Sequence, residues 1–396
     1  MTAPRSTIAF VTPRYGEDVR GGAEHGARRL AESLVAIAGW DVEVFTTCAL
    51  DARTWAQHYE PGTGELNGVT VHRFVASERD PDFDQFSGPL LRHPELVSPE
   101  DESEWFRRQG PVSDELISAV AASQAAHIAF YPYLYHPTVA GMPPVMDRAI
   151  LHAAAHDEPP LRLPVFQKLF GDVPALAFHT DGERRMVESS FPVAAKPQIV
   201  SGLAPDPVAG SAVDARATVG LDADRPYLLC LGRVDDGKGT RVLADFFRVW
   251  KDRHPRDDIA LVFAGPVVHE PPAHPDIVVA GPVSDEVKWG LLEGADLLIN
   301  PSGNESFSIV LMEAWAAGTP VLVNERCEAT VEHVERSGGG LTFDGYVGFE
   351  VALEELRRDA AIGEDFAAAG KAYVDRWFQW PGIVERYTRF LATLRP

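Results

Sequence analysis

Short apolar runs, each closed by a turn and most of them leading into a helical stretch, recur along nearly the whole chain. That alternation restricts the fold more than any other feature. The run 8–11 (IAFV) stops at Pro13 and, after a glycine-rich loop, gives way to 23–38, where Leu30, Leu34, Val35 and Ile37 suit an amphipathic helix. Val42 and Val44, then Val69, Val71 and Phe74, predict further strands, as do 127–131, 149–155, 175–178 and 198–200. A second series starts at YLLCLG, with a helix over 240–253. It continues through IALVFAG, IVVAG with a helix over 284–294, DLLINPS with a helix over 307–317, and PVLVNE. Strand–helix–strand repetition of this kind predicts an α/β protein with mainly parallel sheets.

Two Rossmann-like domains facing each other across a cleft account for the two series. Ligands in such sheets bind beyond the carboxyl ends of the strands. The boundaries expected are 1–204 for the first domain, 205–375 for the second, and 376–396 for a terminal helix returning to the first. Residues 204–225, rich in Pro, Ala, Gly and Asp, read as an interdomain linker. Residues 76–115 break the pattern: eleven acids, four bases and five prolines predict an insertion or mobile excursion, with short helices at most, lying in solvent or over the cleft.

Charge then removes several classes of partner. Lys and Arg number 36 and Asp and Glu 58, a net −22, which argues against tracking a nucleic-acid backbone or docking on anionic lipid. Cys48, Cys230 and Cys327 are far apart and suit neither a zinc site nor a disulfide framework, so a reducing compartment fits. The apolar start of the chain is too short for a secretory signal, and a cytoplasmic location is expected.

Three segments carry chemistry. In INPSGNESFSIVLMEAWAAGTPVLVN a strand ends at Asn300 and a helix starts near Phe307, leaving the amides of Ser306, Phe307, Ser308, Ile309 and Val310 open to an anion. Glu305 precedes that helix, where a sugar hydroxyl suits a carboxylate better than a phosphate does. Glu313 lies about two turns inside. In LGRVDDGKGT, Arg233 and Lys238 stand on a Gly-rich strand-to-helix turn, which suits a diphosphate leaving group. In TPRYGEDVRGGAEHGARRL, the pair Gly21–Gly22 lets backbone approach a ligand at a helix start. Acid triplets DPD (80–82), DFD (82–84) and DAD (222–224) fall outside strand ends, so no metal site is expected from them.

Taken together, GGAE at 21–24, GR at 232–233, KG at 238–239 and ESFSIVLMEAWAAGTPV at 305–321 make the chain resemble the family 4 (group 1) retaining glycosyltransferases of GT-B fold. HDEPP at 156–160 and QWPGIVERYTRFL at the end resemble the same family. The resemblance implies an enzyme that moves a sugar from a nucleoside-diphosphate sugar, UDP or GDP, to a carbohydrate or small-molecule acceptor, with no cofactor and no metal. It implies that Arg233 and Lys238 hold the diphosphate and that amides from Phe307 to Val310 hold phosphate and sugar oxygens. Glu305 would bind sugar hydroxyls, Glu313 the ribose, backbone near Val283 the base, and His156 would lie near the anomeric carbon. ESFS departs from the commoner EGFG, putting side chains of Ser306 and Ser308 where other members have none. Tyr131, Tyr133 and Tyr135, after a strand of the first domain, are the candidate acceptor platform. Alternatives are a phosphorylase or nucleotide-sugar epimerase of the same fold and, outside enzymes, a nucleotide-sugar-binding module.

Overall fold

The computed structural model describes residues 6–19 and 21–394. The chain divides into two compact units, one made of residues 1–202 and 380–396, the other of residues 203–379.

The first unit holds an eight-stranded sheet: β1 Thr7–Val11, β2 Asp41–Thr47, β3 Gly62–Leu66, β4 Val69–Phe74, β5 His127–Phe130, β6 Ala149–His152, β7 Ala175–Phe178 and β8 Gln198–Val200, in the order β3-β4-β2-β1-β5-β6-β7-β8. All neighbours run parallel except β3 and β4. The central strands are covered on both faces, which is why they read as unbroken apolar runs. β3 (GTGEL) is an exposed edge with no apolar signature. It is specified instead by Asn67–Gly68, both at positive φ (51° and 81°), the two-residue hairpin turn that Asn-Gly favours.

Residues 76–115 are not a solvated excursion. They form helices Phe83–Leu90 and Pro99–Gln109, the second capped by Ser98, whose hydroxyl accepts from the Asp101 amide at 3.1 Å. Phe83, Trp105 and Phe106 are buried in the unit's main core, and the Trp105 ring is 1% exposed. Trp105 donates Nε1–H to Ser87 Oγ at 2.8 Å and meets Phe83 and Phe106 edge-on at 5.2 and 5.0 Å. A handful of aromatics suffices here because each buries about 150–250 Å². Asp80 and Asp84 pair with Arg108 and Arg79.

The helix Trp380–Leu391 also belongs to this unit. Ile383, Val384, Tyr387, Phe390 and Leu391 are buried, Arg29 of the helix Gly22–Ala38 lies over the Trp380 ring at 5.7 Å, and Arg386 donates to the Ser201 carbonyl at 3.0 Å.

The second unit holds six parallel strands: β9 Tyr227–Leu231, β10 Ala260–Ala264, β11 Ile277–Gly281, β12 Leu297–Asn300, β13 Val321–Asn324 and β14 Gly340–Phe343, in the order β11-β10-β9-β12-β13-β14. The stretch 204–225 is part of this unit rather than a linker. It contains the helix Ala212–Thr218, packed on the helix Asp285–Gly294. Glycine makes the packing possible: a Cβ on Gly290 would sit 2.5 Å from the Ser211 carbonyl oxygen. No helix among the described residues is long and apolar enough to cross a membrane.

Candidate active site

Chain order in the second sheet runs outward from β9 through β10 to β11, then returns to β12 beside β9. The crevice beyond the ends of β9 and β12 is therefore the switch point where such sheets bind ligands. The two turns that open there are 232–239 and 301–308. They touch through Gly239, which has φ 72° and whose Cβ, if present, would lie 2.7 Å from the Pro301 carbonyl oxygen. Only glycine combines that conformation with that approach.

Asp235 organises the first turn. Its carboxylate accepts from the Lys238 amide at 2.7 Å and from Arg233 Nε, and its carbonyl accepts from Thr240 Oγ1 at 2.9 Å. Lys238 Nζ then reaches across to Glu305 Oε1 at 2.7 Å. Arg233 has a side chain 54% exposed, so its guanidinium remains accessible to an anion.

A polar net holds the second turn. Asn300 Oδ1 accepts from the Ser302 amide at 2.9 Å, Asn300 Nδ2 donates to Ser308 Oγ at 2.7 Å, and Asn324 Nδ2 donates to the Pro301 carbonyl at 2.9 Å. Phe307 is buried edge-on against His333 at 4.9 Å and Phe378 at 5.5 Å. Ser308 takes a left-handed conformation (φ 69°, ψ 77°), where a side chain costs roughly 1–2 kcal/mol. The bond from Asn300 offsets part of that cost. The helix that follows starts at Ile309 rather than Phe307, spans Ile309–Ala317 and has no side-chain cap. Its first amides, those of the half-buried Ile309 and Val310, have no intrahelical carbonyl to bond.

Glu313, buried within this helix, accepts from Lys288 Nζ at 2.8 Å, and Lys288 also reaches Asp285 at 3.1 Å. Burial works against the Lys288 charge, yet Glu313 and Asp285 outweigh it and raise its pKa. Val283, half-buried, follows β11, just before the Ser284 cap of helix Asp285–Gly294. Arg233, Lys238, Glu305 and the helix start are thus brought together. Lys288, Asp235 and Asn300, which position them, escaped the sequence reading. Of the three, Lys288 alone carried a signal: a Lys three residues past a Ser-Asp helix start, on an otherwise acidic turn.

In the first unit, Gly22 is exposed with nothing near its Cβ position, whereas Gly21 is crowded by Glu24 and Arg14. Those two form a buried pair, Arg14 Nε donating to Glu24 Oε1 at 3.0 Å, and Arg14 also donates to the Leu50 carbonyl at 3.0 Å. His156 is one-third exposed, with Nδ1 3.5 Å from Glu158 Oε1. The tyrosine platform is corrected by burial. Tyr131 and Tyr133 are each 1% exposed, their hydroxyls bonded to His179 and to Glu158 (2.7 Å), and no ring face is left for a sugar. Tyr135 packs edge-on against Trp55 at 5.2 Å.

Solved structures share this architecture from end to end. Sucrose-phosphate synthase from Thermosynechococcus elongatus superimposes with a TM-score of 0.73 at 19% identity, covering 98% of this chain and 99% of that one. An alpha,alpha-trehalose-phosphate synthase (UDP-forming) from Burkholderia vietnamiensis gives 0.70 at 15% identity, covering 100% and 99%. The fold is GT-B, and the chain is a glycosyltransferase. More narrowly, residues 225–359 match the family model described as Glycosyl transferases group 1. Among curated relatives, the D-inositol 3-phosphate glycosyltransferase of Pseudarthrobacter chlorophenolicus is 26% identical over 93% of this chain and 90% of its own.

Proposed function

We propose that the protein transfers a sugar from a UDP- or GDP-sugar to a carbohydrate or small-molecule acceptor, with retention at the anomeric carbon and without a metal ion. One observation carries the reading. At the switch point of the second sheet, a Gly-rich cationic turn lies against an uncapped helix start, and Lys238 bridges the two through Glu305.

A diphosphate entering there competes with Glu305 for Lys238, meets Arg233, and places oxygens at the amides of Ile309 and Val310. Glu305 turns to the sugar hydroxyls. Glu313, steadied by Lys288, takes the ribose, and backbone at Val283 takes the base. In the transfer step the bond from the anomeric carbon to the phosphate oxygen breaks and the bond to the acceptor oxygen forms. The acceptor proton passes to the leaving phosphate. Fixed cations and helix amides stabilise the charge growing on that phosphate, an arrangement worth several kcal/mol when preorganised. The first unit supplies the acceptor side, with His156 acting on the transferred sugar. The relatives that act on D-inositol 3-phosphate favour a polyol or sugar phosphate as acceptor.

The test is a calorimetric screen of UDP, GDP and their glucose conjugates, followed by product analysis with D-inositol 3-phosphate as the first acceptor. An α-linked product from an α-linked donor supports the reading. An inverted product contradicts retention. Dependence on inorganic phosphate points to a phosphorylase, and binding without turnover to a binding module.

A further inference from the structure

Five ionisable side chains of the first unit meet at the carboxyl ends of β5, β6 and β7. The His152 ring stacks on Tyr131 at 4.8 Å, and its Nε2 meets the Tyr387 hydroxyl at 2.8 Å. The Tyr131 hydroxyl bonds His179 Nε2, and His179 Nδ1 lies 3.6 Å from Glu183 Oε2. All are buried.

Glu183 stands apart because its two oxygens are spent on backbone. Oε1 accepts from the Ala155 amide at 2.9 Å and Oε2 from the His179 amide at 2.7 Å. Its own amide donates to Thr180 Oγ1 at 3.0 Å, the N-cap of helix Asp181–Ser190, so the carboxyl is held from a fixed base. Ala155 is the residue before His156. Just upstream, Ala154 is at φ 47°, a left-handed conformation that a β-carbon disfavours and that persists only where neighbours impose it. After β6 the chain therefore turns sharply at Ala154, is tied down at Ala155 by Glu183, and delivers His156.

We propose that Glu183 is the positioning residue for His156: it fixes the Ala154–Ala155 backbone so that the imidazole is presented in one orientation, and turnover depends on Glu183 although its carboxyl touches no substrate. This rests on the role given to His156 above. Burial pushes the Glu183 carboxyl up to about 8 while the bonds from His179, Ala155, Thr180 and Ala154 amides oppose the rise, and both protonation states keep acceptor oxygens for those amides.

A double-mutant cycle tests the inference, with release of UDP or GDP from the glucose conjugate that the enzyme turns over as the readout. The proteins are wild type, His156→Ala, Glu183→Gln and the double variant. Gln keeps the size but sets an NH2 group against one of the two amides. Glu183→Gln should lower kcat about 10- to 100-fold, with the donor KM unchanged. On the His156→Ala background it should cost nothing more, because the two act as a unit. A wild-type kcat for Glu183→Gln, or an equal loss on both backgrounds, overturns the inference while leaving His156 in place. A wild-type kcat for His156→Ala removes the role of His156 and this inference with it. Should Glu183→Gln fail to fold, Glu183→Asp, which keeps both oxygens but withdraws them by one methylene, goes through the same cycle with the same outcomes.

Discussion

The two units treat buried ionisable groups in opposite ways. Beyond β5, β6 and β7, burial drives each group toward its uncharged form: His152 down to about 3, His179 down to about 4, Glu183 up to about 8. Beyond β9 and β12 the ionisable groups stand in pairs, Lys238 with Glu305 and Lys288 with Glu313, and Lys288 is raised despite its burial. Desolvation wins in the first place, whereas at Lys288 attraction to Glu313 and Asp285 outweighs it; the second region is partly open to water and each lysine has a carboxylate within 3 Å. A dry neutral cluster holds a backbone in one shape. A half-open set of exchangeable ion pairs can instead hand a cation to an incoming anion.

The largest effect expected falls on the aromatic packing of the first unit's core. Trp105→Ala should cost about 3–5 kcal/mol of stability, read by denaturant unfolding. A loss below about 1 kcal/mol would mean that residues 83–109 are not part of that core.

Next is pH. The Glu183 carboxyl is raised in the folded state, so the proton it keeps contributes stability that is complete below the unfolded pKa and is lost as pH rises toward about 8. The advantage of wild type over Glu183→Gln in thermal melting should therefore shrink between pH 5 and 8, at up to about 1.4 kcal/mol per pH unit. A constant difference would show that the carboxyl is ionised throughout, and the contrast between the regions would fail.

A smaller effect comes from salt. Raising it should weaken nucleotide binding, because the cations of the second region are partly exposed. It should leave the melting of the Trp105 core nearly unchanged. Smallest of all is the response to chelation: EDTA should not alter donor turnover, and loss of activity restored by manganese would contradict the metal-free reading.

How far these regions were legible in the sequence differs for physical reasons. In the second unit the site lies on short turns directly after continuous apolar strands, so Gly232, Arg233, Lys238, Gly239 and the Glu305–Glu313 spacing all show in linear order. What positions them does not. Lys288 meets Glu313 from another helix, 25 residues away, and Asn300 acts through a turn that folds back on itself. In the first unit, residues 76–115 look polar because eleven acids dilute Phe83, Trp105 and Phe106, although those three are buried in the core. The stretch 204–225 looked like a linker because its small residues, which permit the close contact at Gly290, are also linker residues. β3 was specified by Asn67–Gly68 alone, and the Glu183 cluster joins four separate segments with no motif in common.

The central claim is that the second unit holds a nucleoside diphosphate with Arg233 and with Lys238, which exchanges its Glu305 partner for the ligand. Titration calorimetry of UDP and GDP against wild type, Lys238→Ala and Arg233→Ala tests it directly. Each charged bond is typically worth about 1.5–3 kcal/mol, so the nucleotide that binds wild type should bind each variant at least about tenfold more weakly. Wild-type affinity in both variants would contradict the account.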